Sequence, residues 1–190
     1  MKKYTVLVAL TALILASIAC GGTSSEPQVN PPSGDTEVIQ PEVVEGPAVG
    51  TARSNPAPVG SEVVADKMVF TVTSIVRPAN DIVMAGNQFN TKTEENQEYI
   101  FVELNVICKK SSDEKCSINP TFNMKLIGSN GIEYDPDIFL AGVKGLLETT
   151  EFYGDASVKG YIPFIVGVGE TDLVLLYDPF LGDTFYLALP

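Results

Sequence analysis

Between Pro58 and Pro190, apolar and polar residues alternate with a period of two in several short runs. The clearest is EYIFVELNVIC, 98–108, where Ile100, Val102, Leu104 and Val106 fall on one face and Glu103 and Asn105 on the other. A half-buried antiparallel strand requires that period. MVFTVTSIV, 68–76, is rich in β-branched residues and predicts another strand. In FNMKLIGSNGIEY, Phe122, Met124 and Leu126 alternate with Asn123 and Lys125. The run then reaches Asn130-Gly131, which predicts a type I′ hairpin because both residues accept positive φ. VKGYIPFIVGV, DLVLLYD and TFYLAL predict three further strands. Pro163 is expected at an edge or bulge, since it has no N–H to give the ladder. Only DIFLAGVKGLLE, 137–148, suggests helix, for a turn or two. Seven to nine short strands, punctuated by Gly, Asn and Asp and lacking long helical crossovers, predict an all-β antiparallel sandwich over 58–190.

The pattern ahead of this region is different. Met1-Lys2-Lys3 gives a basic start, and Val6 to Ile18 is apolar apart from Thr11 and Ser17. That is the layout of a secretory signal, and the run is shorter than the ~20 apolar residues of a spanning helix. Ser17-Ile18-Ala19-Cys20 resembles a bacterial lipobox, with Ser17 where that pattern prefers Leu. The resemblance implies that 1–19 is removed and that Cys20 becomes a lipidated N-terminus. A diacylglyceryl group supplies the two chains that stable anchoring needs. The alternative is an ordinary signal with a chance cysteine.

From Gly21 to Ala57 the chain holds six prolines, small polar residues and acids, and no aromatic occurs between Tyr4 and Phe70. Such a segment has too little apolar surface to offset its chain entropy, so 20–57 is expected to be a disordered tether. As a flexible coil it would span roughly 35 Å root-mean-square.

Charge and composition narrow the function classes. The chain of 190 residues carries a net charge of −12, which falls to −14 once Lys2 and Lys3 leave. Nucleic acid is a poor partner for such a chain, because that binding rests on Lys and Arg against phosphate. An anionic lipid surface offers no attraction either, so membrane contact is expected through Cys20 alone. High charge also opposes self-association, and a monomer is expected. With no histidine in the sequence, Ser-His-Asp and Cys-His catalysis and His-ligated metal sites are excluded.

Three blocks carry a family resemblance. VGSEVVADKMVFTVTSI matches an opening strand pair, and NQEYIFVELNVICKK followed by INPTFNMKLIGSNGIEYDPD matches a central strand, loop and hairpin. VKGYIPFIVGVGETDLVLLYD matches two late strands. Together they are similar to the telokin-like, immunoglobulin-like domain widespread in bacterial lipoproteins and catalogued as domain of unknown function 4352. The resemblance covers about 58–190 and implies a fold, with no activity or cofactor attached to it. Two features depart from the pattern: Gln97-Glu98 stands where a glycine is expected, and the central loop carries two cysteines.

Those cysteines, Cys108 and Cys116, bracket KKSSDEK. Zinc wants four N or S ligands, so in an exported chain a disulfide is the simpler reading, with free thiols the alternative. Asp135 and Asp137, together with Asp178 and Asp183, could gather around calcium but are ordinary turn formers. Glu94-Glu95 lie in a polar loop, and adjacency alone does not make them a catalytic carboxylate pair. Tyr153, Tyr161, Phe180 and Tyr186 are candidates for a carbohydrate or peptide platform, although aromatics at strand spacing are usually core. The leading expectation is a non-catalytic, lipid-anchored envelope module, without cofactor, that binds an unknown protein or envelope polymer or supports the envelope. A solute- or metal-delivery accessory protein and an envelope enzyme are the alternatives.

Overall fold

A computed structural model describes residues 28–30 and 47–190. Eleven strands and two short helices lie among them. The strands are β1 (Gln28–Asn30), β2 (Glu62–Ala65), β3 (Met68–Val76), β4 (Gln97–Cys108), β5 (Lys115–Ile118), β6 (Met124–Ile127), β7 (Glu133–Tyr134), β8 (Thr150–Tyr153), β9 (Ser157–Gly167), β10 (Val174–Tyr177) and β11 (Phe185–Ala188). The helices are α1 (Asn80–Gly86) and α2 (Pro120–Asn123). Every strand pairing is antiparallel. One sheet runs β1-β2-β3-β4-β9, a second β11-β10-β6-β7, and β5-β8 forms a small third.

The core lies between the two large sheets. Phe70, Ile100, Leu104 and Phe164 face Leu126, Leu175, Phe185 and Leu187, and all are fully buried. Phe70, Tyr177 and Phe185 form an aromatic triplet with ring centroids 4.8–4.9 Å apart. Fully burying a side chain of this size contributes roughly 1.5–3 kcal/mol. The two-residue periodicity of β4 holds on its inner face. Its outer face is also covered over the first half, where Tyr99 and Phe101 pack with Ala79, Val83 and Leu140 in a second, smaller cluster.

Pro163 lies on β9, an edge strand of the five-stranded sheet, as its missing N–H demands. The Asp137 N–H bonds to the Pro163 carbonyl (2.8 Å), which caps that edge.

Three local expectations change. The segment 137–148 is not helical: Gly142 and Gly145 take φ of 70° and 75°, and the segment instead bridges to β9 at Leu146 and Tyr161. The helix lies in NDIVMAG, α1, where the fold places Val83 over Tyr99. The Asn130-Gly131 connection is five residues long rather than a two-residue I′ turn, and only Gly131 has positive φ. The two-residue hairpin with positive φ at both positions is Asp66-Lys67, joining β2 to β3. Phe122 leaves the strand alternation, because Pro120 opens a helical turn that turns its ring outward.

The expected tether, 20–57, also enters the fold in part. Gln28–Asn30 pairs with β2, and Val29 packs against the core beside Gly50. Ala57 is fully buried and exchanges backbone hydrogen bonds with β11. The open edge of β2 and the seam beside β11 supply the partners that local composition does not reveal. Cys20 lies outside the described residues.

Candidate functional site

The Cys108–Cys116 pair is closed as a disulfide, with Cα atoms 5.8 Å apart and both residues buried. It ties the end of β4 to the start of β5, which in turn pairs with β8. Beside it, the hairpin Asp66-Lys67 accepts the Lys109 N–H at the Lys67 carbonyl (2.8 Å). Across from that hairpin runs the segment 179–182, between β10 and β11. Gly182 is required there: its φ is +135°, and a Cβ would collide with the Asp66 carboxylate.

A groove of about 510 Å³ opens between these parts, lined by Asp66, Lys110, Lys115, Tyr177, Phe180 and Leu181 among others. Lys115 pairs with Glu151 (2.9 Å) and lies 5.4 Å from the Tyr153 ring centroid. The Glu151 hydrogen bond raises the Lys115 ammonium above its usual range. Burial raises the Asp66 carboxyl, partly offset by hydrogen bonds from the Asp183 backbone and the Tyr177 hydroxyl. Burial, with Asp66 beside it, also pushes the Tyr177 phenol well above its ordinary range, so it stays a protonated donor. Phe180 is 97% exposed, Leu181 82% and Phe122 77%, which places bulky apolar tips at this end, two of them on the groove.

The opposite end is closed by polar contacts, although Ile132 and Val168 are exposed there. Arg77 clamps Glu98 (2.7 Å) and donates through Nη1 to the Glu170 carbonyl (2.6 Å). The Glu170 Oε1 accepts from the Ser129 hydroxyl (2.7 Å) and the Asn130 N–H (2.9 Å). The Asn130 contact comes first among the causes that hold the Glu170 carboxyl below its usual range. A larger cleft of about 740 Å³ at this end is lined by Arg53, Ser54, Pro56 and the termini of β10 and β11. Arg53 is already engaged there with the Gly128 carbonyl (2.9 Å).

The predicted sites distribute as follows. Asp135 pairs with Lys125, whereas Asp137 accepts from the Tyr99 hydroxyl (2.7 Å) and the Phe139 N–H (3.0 Å). Asp178 accepts from Thr184 (2.9 Å). These carboxylates are each committed to a different partner, and no group of three or more metal-ligating side chains occurs among the described residues. Glu94 and Glu95 are exposed in the turn before β4. Of the four aromatics, Tyr153 lies beside Lys115, and Phe180 lines the groove that Lys115 also lines. Tyr161 instead packs 5.9 Å from Phe101 in the outer cluster, and Tyr186 lies half-buried on β11. Phe122 and Leu181 are surface residues that the sequence does not mark as such, since their apolar character reads as core.

Residues 57–185 match the family described as a domain of unknown function (DUF4352). The chain belongs to this family. Among solved structures, the DUF4352 chain is similar to the yjhA protein of Bacillus subtilis, at 15% identity and a TM-score of 0.50 over 70% of this chain and 98% of that one. It is also similar to ycdA of Bacillus subtilis subsp. subtilis str. 168, described as a candidate lipoprotein, at 17% identity and a TM-score of 0.47 over 67% of this chain and 38% of that one. The secreted protein MPT63 of Mycobacterium tuberculosis is similar at 10% identity and a TM-score of 0.48, over 70% of this chain and 97% of that one. Likeness at these identities speaks to the β-sandwich fold alone. No curated protein matches the DUF4352 chain.

Proposed function

We propose that the protein is exported, lipidated at Cys20, and displays a non-catalytic β-sandwich on the outer face of a bacterial membrane for binding or envelope support. The observation that carries this reading is the Cys108–Cys116 disulfide, because such bonds form and persist in oxidising compartments. The Ser-Ile-Ala-Cys junction after a short apolar run supports the anchor, and family membership supports the module. The binding face we favour is the disulfide end, where Phe180 and Leu181 border the groove. Detergent phase partitioning of the wild type and of Cys20→Ala tests the reading. Wild type is expected in the detergent phase and the variant in the aqueous phase; wild type in the aqueous phase refutes the anchor.

A further inference from the structure

The direction in which the chain enters the fold relates the anchor to the groove. In β1, Gln28 is the register partner of Val64 and Asn30 that of Glu62. Strand β2 runs toward the Asp66-Lys67 hairpin, so β1 runs away from it. The chain therefore comes to Gln28 from the hairpin side, which is the disulfide end. Gln28 lies eight positions after Cys20, and a chain of that length reaches at most about 28 Å even when fully extended.

This end also carries three of the exposed bulky apolar side chains, Phe122, Phe180 and Leu181; Phe89 and Phe139 are exposed elsewhere. Phe180 and Leu181 rim the groove together with Asn123, whose carbonyl accepts the Asp178 N–H (2.8 Å), and Phe122 is the next residue back along the chain. Lys67, Lys109, Lys110 and Lys115 stand here among Asp66, Asp113, Glu114, Glu151, Asp155, Asp178 and Asp183, so this end is acidic by that count and its attraction to a bilayer has to come from the apolar side chains.

We propose that the end of the sandwich bearing Phe122, Phe180 and Leu181 rests on the lipid surface that holds Cys20, with these side chains seated at the headgroup–acyl boundary. The proposal rests on the anchor reading. It replaces contact through the anchor alone with a second, apolar contact of fixed orientation. Amphipathic surfaces gain affinity for bilayers in proportion to the apolar area they bury. A covalent link nearby makes the encounter intramolecular, so a small contact suffices.

The sequence contains no tryptophan, so one introduced tryptophan reports alone. Residues 20–190, which retain every described element, are coupled through Cys20 to maleimide lipid in phosphatidylcholine vesicles. With Cys108 and Cys116 bonded to each other, Cys20 is the remaining thiol. Phe180→Trp is compared with Phe89→Trp, a residue 85% exposed that follows α1 near the opposite half of β4. The expected result is a blue-shifted emission for Phe180→Trp, at least two-fold quenched by brominated acyl chains, with no change for Phe89→Trp. Adding Leu181→Asp should reduce that quenching. Equal, water-like emission from both variants overturns the proposal. So does a Phe180→Trp shift that appears without vesicles and grows with protein concentration, which would place a second copy on the tips. Because the link is made chemically, this result is independent of phase partitioning in the native protein. An unacylated Cys20 refutes the anchor reading and the proposal with it, whereas an acylated protein with unquenched Phe180→Trp refutes the proposal alone.

Discussion

The two ends of the sandwich are closed by different chemistry. At one end, a disulfide and tight hairpins hold the loops, leaving Phe180 and Leu181 in solvent. At the other, Arg77, Glu98 and Glu170 join three connections through charged hydrogen bonds. A covalent tie leaves neighbouring side chains free for contact, whereas a polar clamp occupies the groups it uses. The difference explains why the disulfide end is the better candidate surface, although the larger cleft lies at the opposite end.

The comparison breaks most sharply at Arg77. Glu98 is only 9% exposed, so Arg77→Met should leave its carboxylate buried without its main partner. Breaking such a pair costs about 3 kcal/mol, toward the lower part of the range for fully buried pairs because Arg77 itself is partly exposed. Denaturant unfolding of the soluble domain should show that loss, and Arg77→Met with Glu98→Met together should recover part of it.

Reduction of the disulfide has the next largest effect. Closing a loop of about nine residues contributes roughly 2.5 kcal/mol by chain entropy. A reductant should therefore lower the melting temperature of the wild type and leave that of Cys108→Ser/Cys116→Ser unchanged. Thiol counting on the unfolded, unreduced chain should find neither cysteine free.

The smallest effect is a response to pH. Because the folded state holds the Glu170 carboxyl below its ordinary value, its contribution is present above the unfolded pKa near 4.5 and is lost as pH falls through the folded value. Glu170→Gln should thus melt below the wild type at pH 7, and the gap should narrow below pH 4.5. The group lies near the surface, so the gap at pH 7 should be modest and should shrink with salt. A constant gap across pH would show that the side chain acts by shape alone.

Strands were legible in the sequence where their burial leaves a regular apolar pattern. The inner face of β4 follows its alternation residue by residue, and β3, β9, β10 and β11 lie where β-branched and aromatic runs predicted them. Elements with few buried apolar residues were not legible. Strand β1 offers one apolar residue, Val29, and pairs because β2 has an unpaired edge. Helix α1 buries only Val83, too little for a helical period. Phe122, Phe180 and Leu181 are indistinguishable from core residues until the fold turns them outward. Cys108 and Cys116 were legible as a pair because only their separation was needed.

If Cys20 is the anchor proposed above, strand β1 also sets how far the domain could travel. It holds β2 through three register positions, and Val29 is the one β1 residue packed against the main core. While β1 is seated, the leash from Cys20 spans eight positions and reaches at most about 28 Å; release of β1 would lengthen it. Tension along the leash would load β1 first, making three paired residues a mechanical fuse between a domain held against its membrane and one able to sample the space above it.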